Sequence, residues 1–341
     1  MLSAIRGAQH TINFESYIFW EGHIARDFVD ALAERARAGV KVNVILDALG
    51  THKMGSGNVT RLRDAGANVF KYHRILWLDP RRYNYRTHRK LLVVDGKIAF
   101  IGGVGIADEW AGNGEGTKKY RDNQYEIKGP VVAQLQGAFV SLWLRSKGDL
   151  LYGADYFPPL TTNGTYAAQT ISSSTWDGNL DFSYRLAIAS ARKTLRIENA
   201  YFLPDKLIRK ELIAAAQRGV KVEILVPGEL IDSKLIRMAS KKHYPELLSA
   251  GIKIYEYQMA MLHVKLMIVD DAFVSIGSGN FDNRSTRLSA EANVNVLDKT
   301  FAAEQLALFE KDKAQSRQSG PHEHDGLHLL RRFVNLALPT L

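Results

Sequence analysis

His263-Val-Lys265-Leu-Met-Ile-Val-Asp270, followed by Gly277-Ser278-Gly-Asn280, repeats a pattern already met 175 residues earlier. There the chain reads His88-Arg-Lys90-Leu-Leu-Val-Val-Asp95, then Gly102-Gly103. A single H-x-K-x4-D has a chance of about a few per cent of arising in a chain of this length. Two in matching places arise by chance about once in a thousand. The flanks agree with a duplication. Residues 36–46 (ARAGVKVNVIL) are echoed by 216–226 (AQRGVKVEILV), and 62–72 (LRDAGANVFKY) by 247–257 (LLSAGIKIYEY). Glu15-Ser-Tyr-Ile-Phe is echoed by Glu198-Asn-Ala-Tyr-Phe. The matches keep their order while their offsets drift by a few residues, as two copies with different loop lengths would.

Within each copy the elements alternate. Residues 24–38 carry apolar positions at helical spacing and end at Gly39, while 40–46 is a β-branched run suited to a buried strand. Residues 59–65 form a short helix before a strand at 67–72. Segments 90–94 and 98–101 pair as a hairpin turned at Asp95-Gly96, and 130–147 is an amphipathic helix. The second copy repeats the order, with helices near 180–193, 205–218 and 233–249. The fold class is therefore α/β: two tandem αβα sandwich domains, with one active site at their interface. The expected boundaries are 1–150, 151–312 and a charged linker with an amphipathic tail at 313–341. One asymmetry is expected. Copy two opens with a strand at 165–171, whereas copy one begins inside the matching helix, so its first strand is missing and the chain reads as a shortened form of a longer protein.

At 341 residues the chain is too long for one compact core and suits two domains. Its 46% hydrophobic and 24% charged residues exclude a disordered or low-complexity chain. The absence of cysteine excludes a disulfide scaffold, a Cys-ligated metal and thiol catalysis. A formal charge of +9 favours anionic partners, nucleic acid or acidic lipid. No apolar run reaches the roughly 18–20 residues of a membrane span, and no signal peptide opens the chain. A soluble or membrane-peripheral protein is expected.

In a strand, residues i and i+2 share a face, so each motif sends its His and Lys into one cleft. A phosphodiester calls for such a pair. Lysine neutralises the non-bridging oxygens as charge builds, and imidazole attacks phosphorus or moves a proton. Two histidines supply complementary duties, with coupled titrations. The candidate catalytic set is His88, Lys90, Asp95, His263, Lys265 and Asp270. Asp95 and Asp270, placed at turns, are expected to organise the strand ends and pair with basic groups.

The paired motif resembles the phospholipase D superfamily, and the resemblance covers essentially the whole chain. Tyr17-Ile-Phe-Trp20, Arg86-Thr-His-Arg-Lys90, Tyr201-Phe-Leu-Pro-Asp205, Asp232-Ser-Lys-Leu235, Ile254-Tyr-Glu-Tyr257 and Gly279-Asn-Phe-Asp-Asn-Arg-Ser285 are similar to its bacterial cardiolipin synthase-like branch. The resemblance implies phospholipase D-like domains and a ping-pong reaction with no metal or other cofactor, through a phosphohistidine. The second histidine protonates the departing alkoxide and then deprotonates the incoming alcohol or water. It further implies that Lys90, Lys265, Asn280 and Ser278 bind phosphate, and that Asp122 and Glu291 orient the histidines. Copy one departs from the pattern with Gly105 where copy two has Asn280, which leaves that side without the corresponding phosphate ligand. The implied substrate is phosphatidylglycerol, with cardiolipin as product, at the periphery of a bacterial cell membrane. Rival readings are a hydrolase with water as acceptor, a metal-independent nuclease, and a degenerate lipid-binding module.

Three further features stand outside the motif. Residues 70–89 interleave aromatics with Arg74, Arg81, Arg82, Arg86 and Arg89, read as a basic rim leading into His88 that gathers anionic headgroups or stacks nucleic-acid bases, rather than as a solvated loop whose aromatics pack on the domain. Residues 327–341 place Leu329, Leu330, Phe333, Val334 and Ala337 on one helical face, suited either to a membrane interface or to docking on the domain. His322, His324 and His328 read as a solvated tail rather than a metal site. Glu15 and Glu198, at matching strand ends, read as structural.

Overall fold

The computed structural model describes residues 1–73, 84–162, 164–174 and 177–320. The first lobe runs α1 (Leu2–Gly7), β1 (Thr11–Ser16), α2 (His23–Arg37), β2 (Lys41–Asp47), α3 (Ser56–Asp64) and β3 (Asn68–Tyr72). It continues with β4 (Leu91–Val94), β5 (Ile98–Gly102), β6 (Tyr120–Arg121), β7 (Gln124–Lys128) and α4 (Val131–Lys147). The second lobe begins with β8 (Ala167–Ser173), α5 (Asn179–Ser190), β9 (Thr194–Asn199), α6 (Lys206–Gln217), β10 (Lys221–Pro227), α7 (Lys234–Lys241) and α8 (Tyr244–Ser249). It ends with β11 (Lys253–Tyr257), β12 (Met261–Leu262), β13 (Lys265–Val269), β14 (Phe273–Gly277), β15 (Glu291–Leu297), α9 (Lys299–Ala314) and β16 (Ser316–Gln318).

The duplication is visible in strand order. The first sheet is β3-β2-β1-β4-β5-β7, and the second holds the same six as β11-β10-β9-β13-β14-β15. In each, three parallel strands meet three antiparallel ones at the motif strand. The second sheet gains β16 beside β11 and β8 beside β15. Among the described residues the first sheet has no strand matching β8.

Strand alternation explains the layering. In β4, Leu92 and Val94 face α1, α2 and α3, while Leu91 and Val93 face the other way, onto α4. Leu266 and Ile268 of β13 face the same central layer, and Met267 and Val269 face α5, α6 and α8. Helices α4 and α9 thus lie between the sheets in one shared core, which includes Phe139, Trp143, Ala302 and Phe309. The helix at 131–147 is consequently less one-sided than its sequence suggests, with Val131, Leu135, Phe139, Val140 and Trp143 all buried.

Two local expectations are corrected. The helix near 233–249 is two helices, because Pro245 stands in the first turn of α8 and cannot donate the bond that would continue α7. The linker expected after 312 opens instead with β16, which pairs antiparallel with β11 and seals that edge of the second sheet. No helix among the described residues is long and apolar enough to cross a membrane.

Candidate active site

Each motif strand runs antiparallel to one of the parallel strands of its own sheet, β4 to β1 and β13 to β9. Leu91 is opposite Glu15, and Lys265 is opposite Asn199. The His–Lys ends of both motifs therefore sit beside the carboxyl ends of the parallel strands, where open α/β sheets expose their ligand-binding crevices. His88 and His263 line one cavity of about 370 Å³ at the seam, together with Lys90 and Asn280.

The seam is stitched by backbone. The His88 amide donates to the Ala290 carbonyl at 2.9 Å, and the Ala290 amide donates to the Arg86 carbonyl at 2.9 Å. In the mirrored position β12 pairs with β6, and the His263 amide donates to the Arg121 carbonyl at 2.7 Å. These bridges bring the residue after Ala290 and the residue after Arg121 up to the opposite lobe's histidine. His88 Nδ1 lies 2.8 Å from Glu291 Oε1, and His263 Nδ1 lies 2.7 Å from Asp122 Oδ2. The two carboxylates singled out from the sequence are thus exchanged between lobes.

Each carboxylate is held in turn. Glu291 accepts from Ser278 Oγ at 2.5 Å and Ser285 Oγ at 2.7 Å. Asp122 accepts from Trp110 Nε1 at 2.9 Å and from the Asn123 amide at 2.8 Å. With Nδ1 tied to a carboxylate, each imidazole has Nε2 for chemistry, as an attacking base or a proton carrier, and in His263 that nitrogen also lies 3.2 Å from Lys265 Nζ.

Lys90 Nζ donates to the His88 carbonyl at 2.7 Å, and Lys265 Nζ donates to the His263 carbonyl. Burial, aided by the charge of Lys265, pulls Lys90 down to about 7, against the opposing pull of Glu291. Burial pulls Lys265 down to about 8. Burial and the two lysines push His88 down to about 4, and burial and Lys265 lower His263. Burial alone would raise Glu291 and Asp122, but the neighbouring histidines and lysines outweigh it and hold both carboxyls below their ordinary values.

The remaining sequence candidates divide. Asn280 is buried at the cavity wall, its Oδ1 without a hydrogen-bond partner. Ser278 does not face the cavity as a phosphate ligand: its hydroxyl is fully buried and committed to Glu291. Asp95 and Asp270 lie roughly 16 Å along the strand from the His–Lys ends, five residues at about 3.3 Å each. They pair with backbone amides rather than basic groups. Asp95 accepts from Gln9, His10 and Thr11, and Asp270 from Arg192, Lys193 and Thr194. Asp95 ties the segment after α1 to the start of β1, and Asp270 ties the segment after α5 to the start of β9. Glu15 and Glu198 are fully buried behind the motif strands. Gly105 has a steric reason: a Cβ there would stand 2.9 Å from Ile18 and 3.2 Å from the Trp110 ring. Copy one gives up the asparagine and gains the tryptophan that holds Asp122.

Several wall residues, Arg86 of the basic rim excepted, were not singled out as site residues from the sequence. Tyr17 packs edge-on against His88 with ring centroids 4.9 Å apart, and Lys90 lies 5.4 Å over the same ring. Trp110, Tyr120 and Tyr201 surround His263 at 5.4, 5.7 and 6.1 Å. Tyr201 also donates to Asp232 at 2.6 Å. Arg86 is buried at the wall in an ion pair with Asp47 at 3.0 Å. Tyr17, Tyr201, Asp232 and Arg86 belong to segments that carried the resemblance, which was the available signal. Trp110 and Tyr120 stand in an irregular Gly-rich stretch that offers none. Arg74, Arg81 and Arg82, the tail at 327–341 and His322, His324 and His328 lie outside the described residues.

The family described as "Cardiolipin synthase, PLD-like domain" matches residues 1–143 and 184–313. Cardiolipin synthase 2 of Bacillus cereus is 32% identical over 341 aligned residues, covering 98% of this chain and 66% of the relative. Cardiolipin synthase A of Pseudomonas fluorescens is 32% identical, covering 100% of this chain and 72% of the relative. The chain spans slightly less than two thirds of the length of the Bacillus relative. Among solved structures, phosphatidylserine synthase of Haemophilus influenzae superposes with a TM-score of 0.70 at 16% identity, covering 100% of this chain and 92% of that one. That likeness is one of fold.

Proposed function

The chain belongs to the cardiolipin synthase family of phospholipase D-like proteins, and from that premise we propose that it joins two phosphatidylglycerol molecules into cardiolipin, releasing glycerol, at the surface of a bacterial membrane. The observation that carries the reading is that His88 with Lys90 from one lobe and His263 from the other line one cavity, each histidine tied to the other lobe's carboxylate, with Lys265 buried against His263.

Nε2 of one histidine attacks phosphorus. A P–N bond forms as the P–O bond to glycerol breaks, and the other histidine, as imidazolium, gives its proton to the departing oxygen. The second half reverses these moves. The now neutral imidazole takes the proton of the incoming hydroxyl, the new P–O bond forms, and the P–N bond breaks. Lys90 and Lys265, with Asn280, offset charge on the non-bridging oxygens as it builds. The partly desolvated lysines suit this role, because a bound anion restores their charge where water does not screen it.

The test is product analysis with phosphatidylglycerol vesicles and EDTA present, wild type beside His88→Ala and His263→Ala. Cardiolipin from wild type, and from neither variant, is the expected result. Phosphatidic acid in its place makes the protein a hydrolase, and the absence of any lipid product from wild type overturns the reading.

A further inference from the structure

The cavity is lined unevenly. Two acidic groups, Asp232 and Asp282, line a site otherwise built for an anion; Asp282 is buried and accepts from the Ser285 amide, while Asp232 stands beside His263. Asp232, exposed at the mouth, accepts the Tyr201 hydroxyl at 2.6 Å, and the Tyr120 phenol lies against the same carboxylate, whose charge adds to burial in pushing that phenol up. Tyr120, Tyr201 and Asp232 all line the cavity with both histidines.

A carboxylate here opposes binding of a phosphodiester unless it meets hydrogen-bond donors of the substrate. It has about four acceptor positions, of which Tyr201 and Tyr120 each occupy one. With their protons given to Asp232, the phenol oxygens and the remaining carboxylate positions accept hydrogen bonds from the substrate, which the hydroxyls of a polyol supply. Lys90 and Lys265, whose charges bear on the same site, disfavour a cationic donor such as an ammonium.

We propose that Asp232, fixed by Tyr201 beside Tyr120, is the alcohol subsite, hydrogen-bonding the vicinal hydroxyls of a glycerol group and selecting a polyol over a simple alcohol as acceptor. The assignment rests on the transfer reaction proposed above. In that reaction the group that leaves and the group that enters are both glycerol, so one subsite serves both half-reactions.

The experiment uses phosphatidyl-p-nitrophenol in phosphatidylcholine vesicles, a donor whose leaving group carries no diol. Glycerol, 1-propanol and ethanolamine compete as acceptors at equal concentration. Nitrophenol release reports phosphoryl chemistry, and the product ratio reports the subsite. Wild type is expected to favour glycerol over propanol by about tenfold or more, the worth of a hydrogen bond to a charged group. Asp232→Ala is expected to bring the ratio towards two, the statistical value for glycerol's two primary hydroxyls. Tyr201→Phe, which removes one hydroxyl, is expected to lower it by about threefold. A wild-type ratio near two, predominance of the ethanolamine product, or a ratio that both variants leave unmoved would overturn the subsite while leaving transfer intact. No nitrophenol from wild type overturns the transfer reading, and the subsite with it.

Discussion

Glu291 stands 203 positions along the chain from His88, yet its Oε1 lies 2.8 Å from His88 Nδ1. The reciprocal bond from His263 to Asp122 makes each lobe depend on the other for the orientation of its own histidine. Neither lobe carries a complete site. Isolated lobes would each lose the carboxylate that fixes the imidazole and favours its protonated form.

Glu291→Gln and Asp122→Asn keep the size of these side chains and remove their charge. An amide in this place still hydrogen-bonds but no longer stabilises the imidazolium or enforces one tautomer, a change that costs about 10⁴-fold in a serine protease triad. Turnover of either variant is expected to fall by two to four orders of magnitude, with little change in thermal stability. Equal turnover in wild type and both variants would remove the orienting role.

What was legible in the sequence was local or repeated. The duplication follows from repeated segments, and the shared face of His88 and Lys90 from spacing within a strand. So did the hairpin at Asp95-Gly96, where both residues adopt positive φ, 53° and 61°. The exchange of Asp122 and Glu291 was not legible, because it is made by contacts between lobes that leave no periodic trace. The direction of Ser278 was hidden for a related reason: a motif serine is equally able to face phosphate or carboxylate, and only the position of Glu291 decides. Asp95 and Asp270 were drawn into the catalytic set by motif membership, although the strand carries them to the far end of the sheet.

Anion affinity should fall as the solution becomes more alkaline. Lys90 sits near 7 and Lys265 near 8 in the free protein. Below about 7 both are charged. Above about 8 both are largely neutral, so binding an oxyanion requires proton uptake. Each proton taken up contributes a tenfold loss of affinity per pH unit. Tungstate binding, measured by calorimetry between pH 6 and pH 9, is expected to be flat at the acidic end and to weaken by at least tenfold between pH 8 and pH 9. The apparent enthalpy should also change with the ionisation heat of the buffer.

Behind His263, Arg121 holds the seam. It bonds Asp312 on α9 at 2.7 and 3.1 Å, and the neighbouring Glu198 carboxyl is pushed well above its ordinary value by burial and by Asp312. Arg121→Met leaves two buried acids with no cation. Breaking such a pair costs about 3–5 kcal/mol. The direction with pH follows from the acids: both are easier to bury protonated, so the loss should be larger at pH 8 than at pH 5. Urea unfolding at the two pH values checks it, and a loss that is the same at both would mean that the arginine acts through packing alone.

The two copies solve the support of their carboxylates differently, and the difference can be tested at one atom. Copy two uses Ser278 against the longer Glu291; copy one uses Gly103 against the shorter Asp122. A Cβ on Gly103 would meet Asp122 Oδ1 at 2.3 Å, well inside contact distance. Gly103→Ala must therefore push Asp122 away from His263, and a displacement of about 1 Å is enough to cost about a hundredfold in rate. Ser278→Gly removes one donor from a carboxylate that keeps Ser285, so a drop of about tenfold is expected there. Steady-state turnover of the two variants, each with its circular dichroism melt, separates loss of the site from loss of the fold. If Gly103→Ala were the milder of the two, the close approach of Asp122 to the backbone would have no part in positioning His263.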